Sequence, residues 1–230
     1  MKLIFRVGWT CIKILNVIGF DVMKILCHRG FWRTPEEKNS LAALSRAVAN
    51  GYGFESDVRD YRGRLVISHD IANENSPALE EVLKILAGAE DKFCFAINIK
   101  ADGLTNQLKA LLEKYSLKNY FVFDMSVPQM LAYRDAGLKF FTRQSEFEKV
   151  PSLYEESAGV WLDAFESDEW LTLELIKNHL AHGKKVCVVS PELHGREPQK
   201  LWTTLKPIKN LEWYLCTDLP IEAEKFFGGE

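Results

Sequence analysis

At 230 residues, with 47% apolar and 27% charged side chains, the chain is long enough to bury a full core in one domain and is unlike a fibrous or disordered polypeptide. Its 29 Lys and Arg against 32 Asp and Glu leave a net charge of −3, which offers no basic face to a nucleic-acid backbone and excludes that partner from the leading readings. The five cysteines (Cys11, Cys27, Cys94, Cys187 and Cys216) show no C-x-x-C spacing and mostly sit in short apolar runs, so they read as reduced, buried thiols of a cytoplasmic protein.

Residues 1–22 are rich in Leu, Ile, Val and Phe but are interrupted by Arg6 and Lys13. The uncharged stretch at 14–20 falls far short of the ~20 residues that cross a bilayer, and no small-residue cleavage site is visible. Two readings stay open for this segment: a helix or strand that caps the folded domain from below, or a basic interfacial helix that makes weak contact with a membrane. From residue 23 onward short apolar runs alternate with segments of helical period. The runs predict strands over 24–28, 54–58, 93–99, 120–124, 138–142, 159–163, 185–190 and 211–217. An extra run at 65–68 follows Arg62-Gly63-Arg64 so closely that it reads as a hairpin partner of the second strand. Helical patterns fall at 40–50, 79–87, 104–115, 127–136, 169–182, 198–205 and 221–227, several closed by an Asn-Gly, Ala-Gly or His-Gly pair. Eight strands with interleaved helices and no Gly-rich dinucleotide fingerprint predict a single-domain α/β fold, a closed (β/α)8 TIM barrel over 23–230.

In such a barrel the chemistry belongs to the C-terminal ends of the strands, and here those ends are polar. In strand order they carry His28 and Arg29, Glu55 and Asp57, His69 and Asp70 on the hairpin, Asn98 and Lys100, Asp124, Arg143, Asp163, Glu192 with His194, and Asp218. Glu55 and Asp57 are two apart, so a strand projects both to one side, and Asn98 and Lys100 repeat that spacing. Two carboxylates aimed into one dry cavity repel each other unless a cation lies between them. The cation is either a divalent metal with oxygen ligands or a neighbouring side chain such as Arg59. His28 and His69 can supply one proton acceptor and one donor, and Arg29 and Lys100 fixed positive charge for a phosphate oxyanion. Of the aromatics after strands one and six, Phe31, Trp32, Phe165 and Trp170, any that face the mouth can stack on a sugar or head group.

With H-R-G at 28–30, E-x-D at 55–57, H-D at 69–70, E-K-N-S-L-A-A-L at 37–44 and L-C-T-D-L-P at 215–220, the chain resembles the glycerophosphodiester phosphodiesterase family of the phospholipase C-like barrels. The resemblance implies Mg²⁺- or Ca²⁺-assisted cleavage of a small phosphodiester. His28 and His69 would be the acid–base pair, Arg29 and Lys100 phosphate ligands, and Glu55 and Asp57 metal ligands. Trp32, Arg143 and His194 join the candidate substrate contacts. The sequence departs from the family in three places. Lys38 stands directly before Asn39 where the family has glutamate, and Glu37 one place earlier. The third strand reads N-I-K rather than E-I-K, so Asn98 offers a neutral oxygen where a third carboxylate is usual; Asp124 or Glu37 could restore the charge. Only residues 71–78 separate the second histidine from the next helix, where the family often inserts a subdomain. The resulting expectation is a metal-assisted phosphodiesterase acting on a glycerophosphodiester-like or sugar-phosphate-containing substrate. The alternatives are a catalytically silent barrel that binds phosphorylated ligands or a partner protein, and a lysophospholipase D-like enzyme working at a membrane through residues 1–22.

Overall fold

A computed structural model describes residues 23–87 and 92–228. The N-terminal segment discussed above, with Cys11, lies outside them. Eight parallel strands form one barrel sheet: β1 (Lys24–His28), β2 (Gly53–Tyr61), β4 (Phe95–Ile99), β5 (Tyr120–Phe123), β6 (Phe141–Gln144), β7 (Gly159–Leu162), β8 (Lys185–Val189) and β9 (Tyr214–Thr217). The path runs β5-β4-β2-β1-β9-β8-β7-β6, and a parallel bridge from Val122 to Phe140 closes the ring between β5 and β6. The short strand β3 (Arg64–Ile67) folds back antiparallel on the outer half of β2, pairing Val58 with Ile67, as the closely spaced run predicts.

Among the described residues seven α-helices fill the connections: α1 (Leu41–Ala49), α2 (Leu79–Ala87), α3 (Thr105–Lys114), α4 (Val127–Asp135), α5 (Leu173–Ala181), α6 (Gln199–Leu205) and α7 (Pro220–Gly228). Their starts follow from local chemistry. Ser40 Oγ accepts the Ala43 N–H at the head of α1, and Thr172 Oγ1 accepts the Leu175 N–H at the head of α5. Between β6 and β7 the chain carries Pro151 and no apolar helical period, and it crosses without a helix.

Strand alternation builds two cores. Outward residues such as Ile25, Phe54, Phe95, Ile97, Val160, Val188 and Leu215 pack under the helices. Inward residues Leu26, Cys94, Ala96, Phe121, Phe123, Phe141, Trp161, Cys187, Val189, Tyr214 and Cys216 fill the barrel. Phe121 stacks on Phe141 at 3.7 Å and Phe123 on Trp161 at 3.8 Å, so the interior is plugged by rings and only its upper end is polar. The run predicted at 138–142 forms its strand three residues later. Only one bridge joins it to β5, and its regular ladder is the one it makes with β7, where Arg143 pairs with Trp161 and Gln144 with Leu162. Cys27, Cys94, Cys187 and Cys216 are free and buried. Among the described residues no helix is long and apolar enough to cross a membrane.

Candidate active site

The inward alternation carries Glu55 and Asp57 to the centre of the barrel top, 1% and 0% exposed. Parallel register sets His28 beside Glu55 and Asn98 beside Asp57. A cavity of about 320 Å³ opens above them, lined by His28, Arg29, Glu55, His69, Asn98, Lys100, Asp124, Arg143 and His194, together with Phe123, Trp161, Asp163, Phe165, Val189 and Leu193. Nine of the residues expected to act thus share one cavity, with Asp57 among the fully buried groups. Trp32 stands apart from the lining: its indole N–H donates to Asp218 Oδ1 at 3.3 Å, and Lys38 lies over its ring at 4.5 Å.

Two carboxylates cannot stay charged in this position without compensation. Asp57 receives it from Arg29 (Nε to Oδ2, 3.1 Å), from Lys100 (Nζ to Oδ1, 3.5 Å) and from the Asn39 amide, which donates to Oδ2 at 2.8 Å. Among the described residues Glu55 accepts only the Arg29 backbone N–H at 3.1 Å, with His28 Nε2 at 4.0 Å. Burial, and then the Asp57 charge, push the Glu55 carboxyl up to about 7, against the opposing pull of His28, Arg29 and Lys100. The backbone is shaped for these contacts. Arg29 sits at φ +55° and Gly30 at φ +88°, and a Cβ on Gly30 would lie 2.8 Å from the Ala43 carbonyl carbon of α1.

Three histidines are each tied to a carboxylate. His28 donates from Nδ1 to Asp218 Oδ1 at 2.8 Å, which leaves Nε2 as the free nitrogen on the Glu55 side. His194 donates from Nε2 to Asp163 Oδ1 at 2.7 Å, and the Trp161 indole holds the other oxygen of Asp163 at 3.3 Å. His69 stands at the rim, its side chain 44% exposed, donating from Nδ1 to Asp70 at 2.8 Å. Asp124 bridges Lys100 (3.2 Å) and Arg143, and Arg143 also pairs with Glu148. Glu37 is held by Arg46 and by the Arg33 N–H, not by the carboxylate pair. Phe31 and Trp170 pack against the outer core, so of the four loop aromatics Phe165 alone lines the cavity.

The oxygen donors Glu55, Asp57 and Asn98 fit a divalent cation. Asp57 Oδ1 and Asn98 Oδ1 are both buried without a hydrogen-bond partner among the described residues, and all three donors are of the hard type such ions take. The set is lean in charge. Among the described residues no group of three or more His, Cys, Asp or Glu side chains is arranged for a metal, and the third oxygen donor here is an amide.

Motif reading gave no role to Asp218, Asp163 and Asn39, which the fold sets against His28, His194 and Asp57. Asp218 lies 190 positions from His28 and meets it only because β9 closes against β1. Its signals in sequence are its place at the end of the last strand and the T-D-L-P phrase at 217–220.

No family model matches the chain, and no curated protein matches it. Among solved structures, a glycerophosphodiester phosphodiesterase from Parabacteroides distasonis superposes with a TM-score of 0.69 at 19% identity, covering 91% of this chain and 98% of that one. A Ca²⁺-dependent phosphatidylinositol-specific phospholipase C from Streptomyces antibioticus gives 0.57 at 9% identity, covering 90% and 97%. The tryptophan synthase α-subunit of Pyrococcus furiosus, in a D110A mutant, gives 0.54 at 13% identity, covering 90% and 98%. At such identities the likeness shows the fold, and the last match, an enzyme of different chemistry, shows why function has to be argued from the site.

Proposed function

We propose that the chain is a metal-assisted phosphodiesterase that hydrolyses a small phosphodiester, glycerophosphodiester-like or sugar-phosphate-containing, by histidine acid–base catalysis. The observation that carries this reading is the convergence on one cavity of the His28–Asp218 pair, the buried Glu55, Asp57 and Asn98 oxygens, and the cations Arg29 and Lys100. The order of the motifs and the fold shared with a solved glycerophosphodiester phosphodiesterase support it. Glu55, Asp57 and Asn98 would hold Mg²⁺ or Ca²⁺, with Asp124 near enough to Lys100 to adjust the local charge. When bound, the ion supplies positive charge beside the phosphoryl oxygens. Arg29 and Lys100 add charge-assisted contacts to those oxygens as negative charge develops. His28, with Nδ1–H fixed on Asp218, presents Nε2 to take a proton from the attacking water. His69, entering the step protonated at both nitrogens with Nδ1–H on Asp70, gives its Nε2 proton to the departing alcohol and is reprotonated from solvent, to which His28 releases the proton it took. His194 and Arg143, which line the cavity, would contact the alcohol portion, whereas Trp32 stands apart from it on Asp218. In this reading the enzyme works in the cytoplasm.

The test is hydrolysis of bis(p-nitrophenyl) phosphate by the purified protein, first in chelator and then with Mg²⁺, Ca²⁺ or Mn²⁺. Metal-stimulated release of p-nitrophenol is the expected result. A second reading draws on the Asn98 amide and on the double pairing of Asp57: a silent barrel that binds phosphate esters without turning them over. Binding of a phosphodiester with no release under any of the three metals would favour it.

A further inference from the structure

Glu192 lies on the short 3-10 turn Pro191–His194 that follows β8, and sequence motifs assign it nothing. Its carboxylate gathers three donors from two strand ends: the hydroxyls of Ser190 and Thr217, and the Asp218 backbone N–H at 3.0 Å. Ser190 and Thr217 are fully buried, and Ser190 Oγ in turn accepts the Trp202 indole N–H of α6 at 2.8 Å. Thr217 is the last residue of β9 with a ladder partner, Cys27 of β1. One residue further, the Asp218 N–H is held by a side chain instead of a strand. Asp218 is also the node on which His28 (2.8 Å), Trp32 (3.3 Å) and Lys38 (3.2 Å) converge. A chain of hydrogen bonds therefore runs from the packed indole of α6 through Ser190, Glu192 and the corner after β9 to the imidazole of His28.

We propose that Glu192 is a positioning residue of the active site: by fixing the Thr217–Asp218 corner it sets the orientation of the His28 imidazole. The inference rests on the phosphodiesterase reading for its kinetic consequence, although the geometry can be tested without turnover. Without the Glu192 carboxylate, the buried Thr217 hydroxyl and the Asp218 N–H both lose their acceptor, and the Asp218 side chain is free to follow its other partners, Lys38 and Trp32. Glutamine keeps an oxygen for the two donors on β9 and turns an N–H toward Ser190 Oγ, so it should preserve the corner.

The experiment compares wild type with Glu192→Ala and Glu192→Gln by two readouts. The first is the NMR signal of the His28 Nδ1–H proton, assigned by its absence in His28→Gln. The second is steady-state hydrolysis of bis(p-nitrophenyl) phosphate. In Glu192→Ala the proton signal should move or broaden away, and kcat should fall ~10- to 100-fold with KM held within ~3-fold, the pattern of a misplaced rather than a missing group. Glu192→Gln should restore the signal and bring kcat to within ~5-fold of wild type. Thr217→Val, isosteric with the native residue, is the second variant should the alanine protein not fold, and it should move the same signal by less. An unmoved His28 signal in these variants overturns the proposal, and so does a kcat loss that glutamine does not recover. A wild type without turnover defeats the hydrolase reading instead, while the proton signal still decides whether Glu192 positions His28.

Discussion

Glu55 shares the dry centre of the barrel top with Asp57 on its own strand and His28 on the next, and among the described residues its direct hydrogen bond comes from a backbone N–H alone. Burial and the Asp57 charge raise its carboxyl from 4.5 to about 7. A carboxyl raised in the folded state favours the protonated form, so its contribution is fully present below the unfolded value and is lost as pH rises through the folded one. Glu55 should accordingly take stability from the metal-free protein between pH about 4.5 and 7, against the opposite contribution of His179, whose value burial lowers. Glu55→Gln should flatten that slope, as measured by the urea midpoint against pH; a slope unchanged by the substitution would contradict the assignment. A divalent ion relieves the same repulsion. Asn98→Glu should tighten Mg²⁺ or Ca²⁺ binding in isothermal titration, because hard-ion affinity follows ligand charge, whereas Asp57→Asn should abolish uptake. If wild type takes up no ion and Asn98→Glu gains none, the metal site is absent; uptake indifferent to Asn98→Glu and Asp57→Asn places it elsewhere. His28→Ala and His69→Ala should each cost on the order of 10²-fold or more in turnover, the usual scale for lost acid–base catalysis, with the double variant less than multiplicative. Near-native turnover in either would remove that histidine from the mechanism.

The loop between β1 and α1 is where a strand end becomes a site. Gly30 adopts φ +88° with the start of α1 packed against it, and Arg29 just before it is held at φ +55° so that its N–H meets Glu55 while its guanidinium reaches Asp57. A Cβ at position 30 would meet backbone atoms of Ala43 and Leu44 at 2.8 to 2.9 Å, so the loop must shift off the helix. We expect Gly30→Ala to cost at least ~1–2 kcal/mol from the left-handed backbone alone, and to weaken phosphate binding through the displaced Arg29. Thermal unfolding and phosphate titration of the same variant check both halves; a variant as stable and as tight-binding as wild type would show that the loop tolerates the change. Much of this was legible in sequence. H-R-G and E-x-D announce a strand end and a same-side pair, because strand alternation is a two-residue rule that needs no tertiary information. What could not be read was each histidine's partner. Asp218 and Asp163 reach His28 and His194 only through neighbouring strands brought together by closure, and Glu37 is diverted to Arg46 by the pitch of α1, which spacing does not reveal.

Across the molecule the ring of strands is uneven. Continuous ladders join β2 to β4 and β1 to β9, but β5 meets β6 through the single bridge of Val122 with Phe140 and the hydrogen bond from Val122 N–H to the Lys139 carbonyl, 2.9 Å. Sequence periodicity identified both strands yet set β6 three residues early, since an apolar run shows where a strand can form and not which neighbour will pair with it. The seam is held instead from inside by the Phe121–Phe141 stack and by Phe123 on Trp161, directly beneath Asp124 and Arg143 at the cavity wall. Backbone pairing that sparse opens at lower free energy than the rest of a barrel, so native-state hydrogen exchange should find the Val122 amide less protected than those of Leu26 and Cys216 on the opposite side. Phe141→Ala removes the stack and should cost about 3–5 kcal/mol, the usual range for a buried ring, while speeding exchange at Val122 more than at Leu26. Because Asp124 and Arg143 ride on these two strands, the same variant should weaken substrate binding before it lowers turnover. Equal protection around the ring, or a Phe141→Ala variant that speeds all amides alike, would show that the barrel opens as one cooperative unit and that the seam has no separate life.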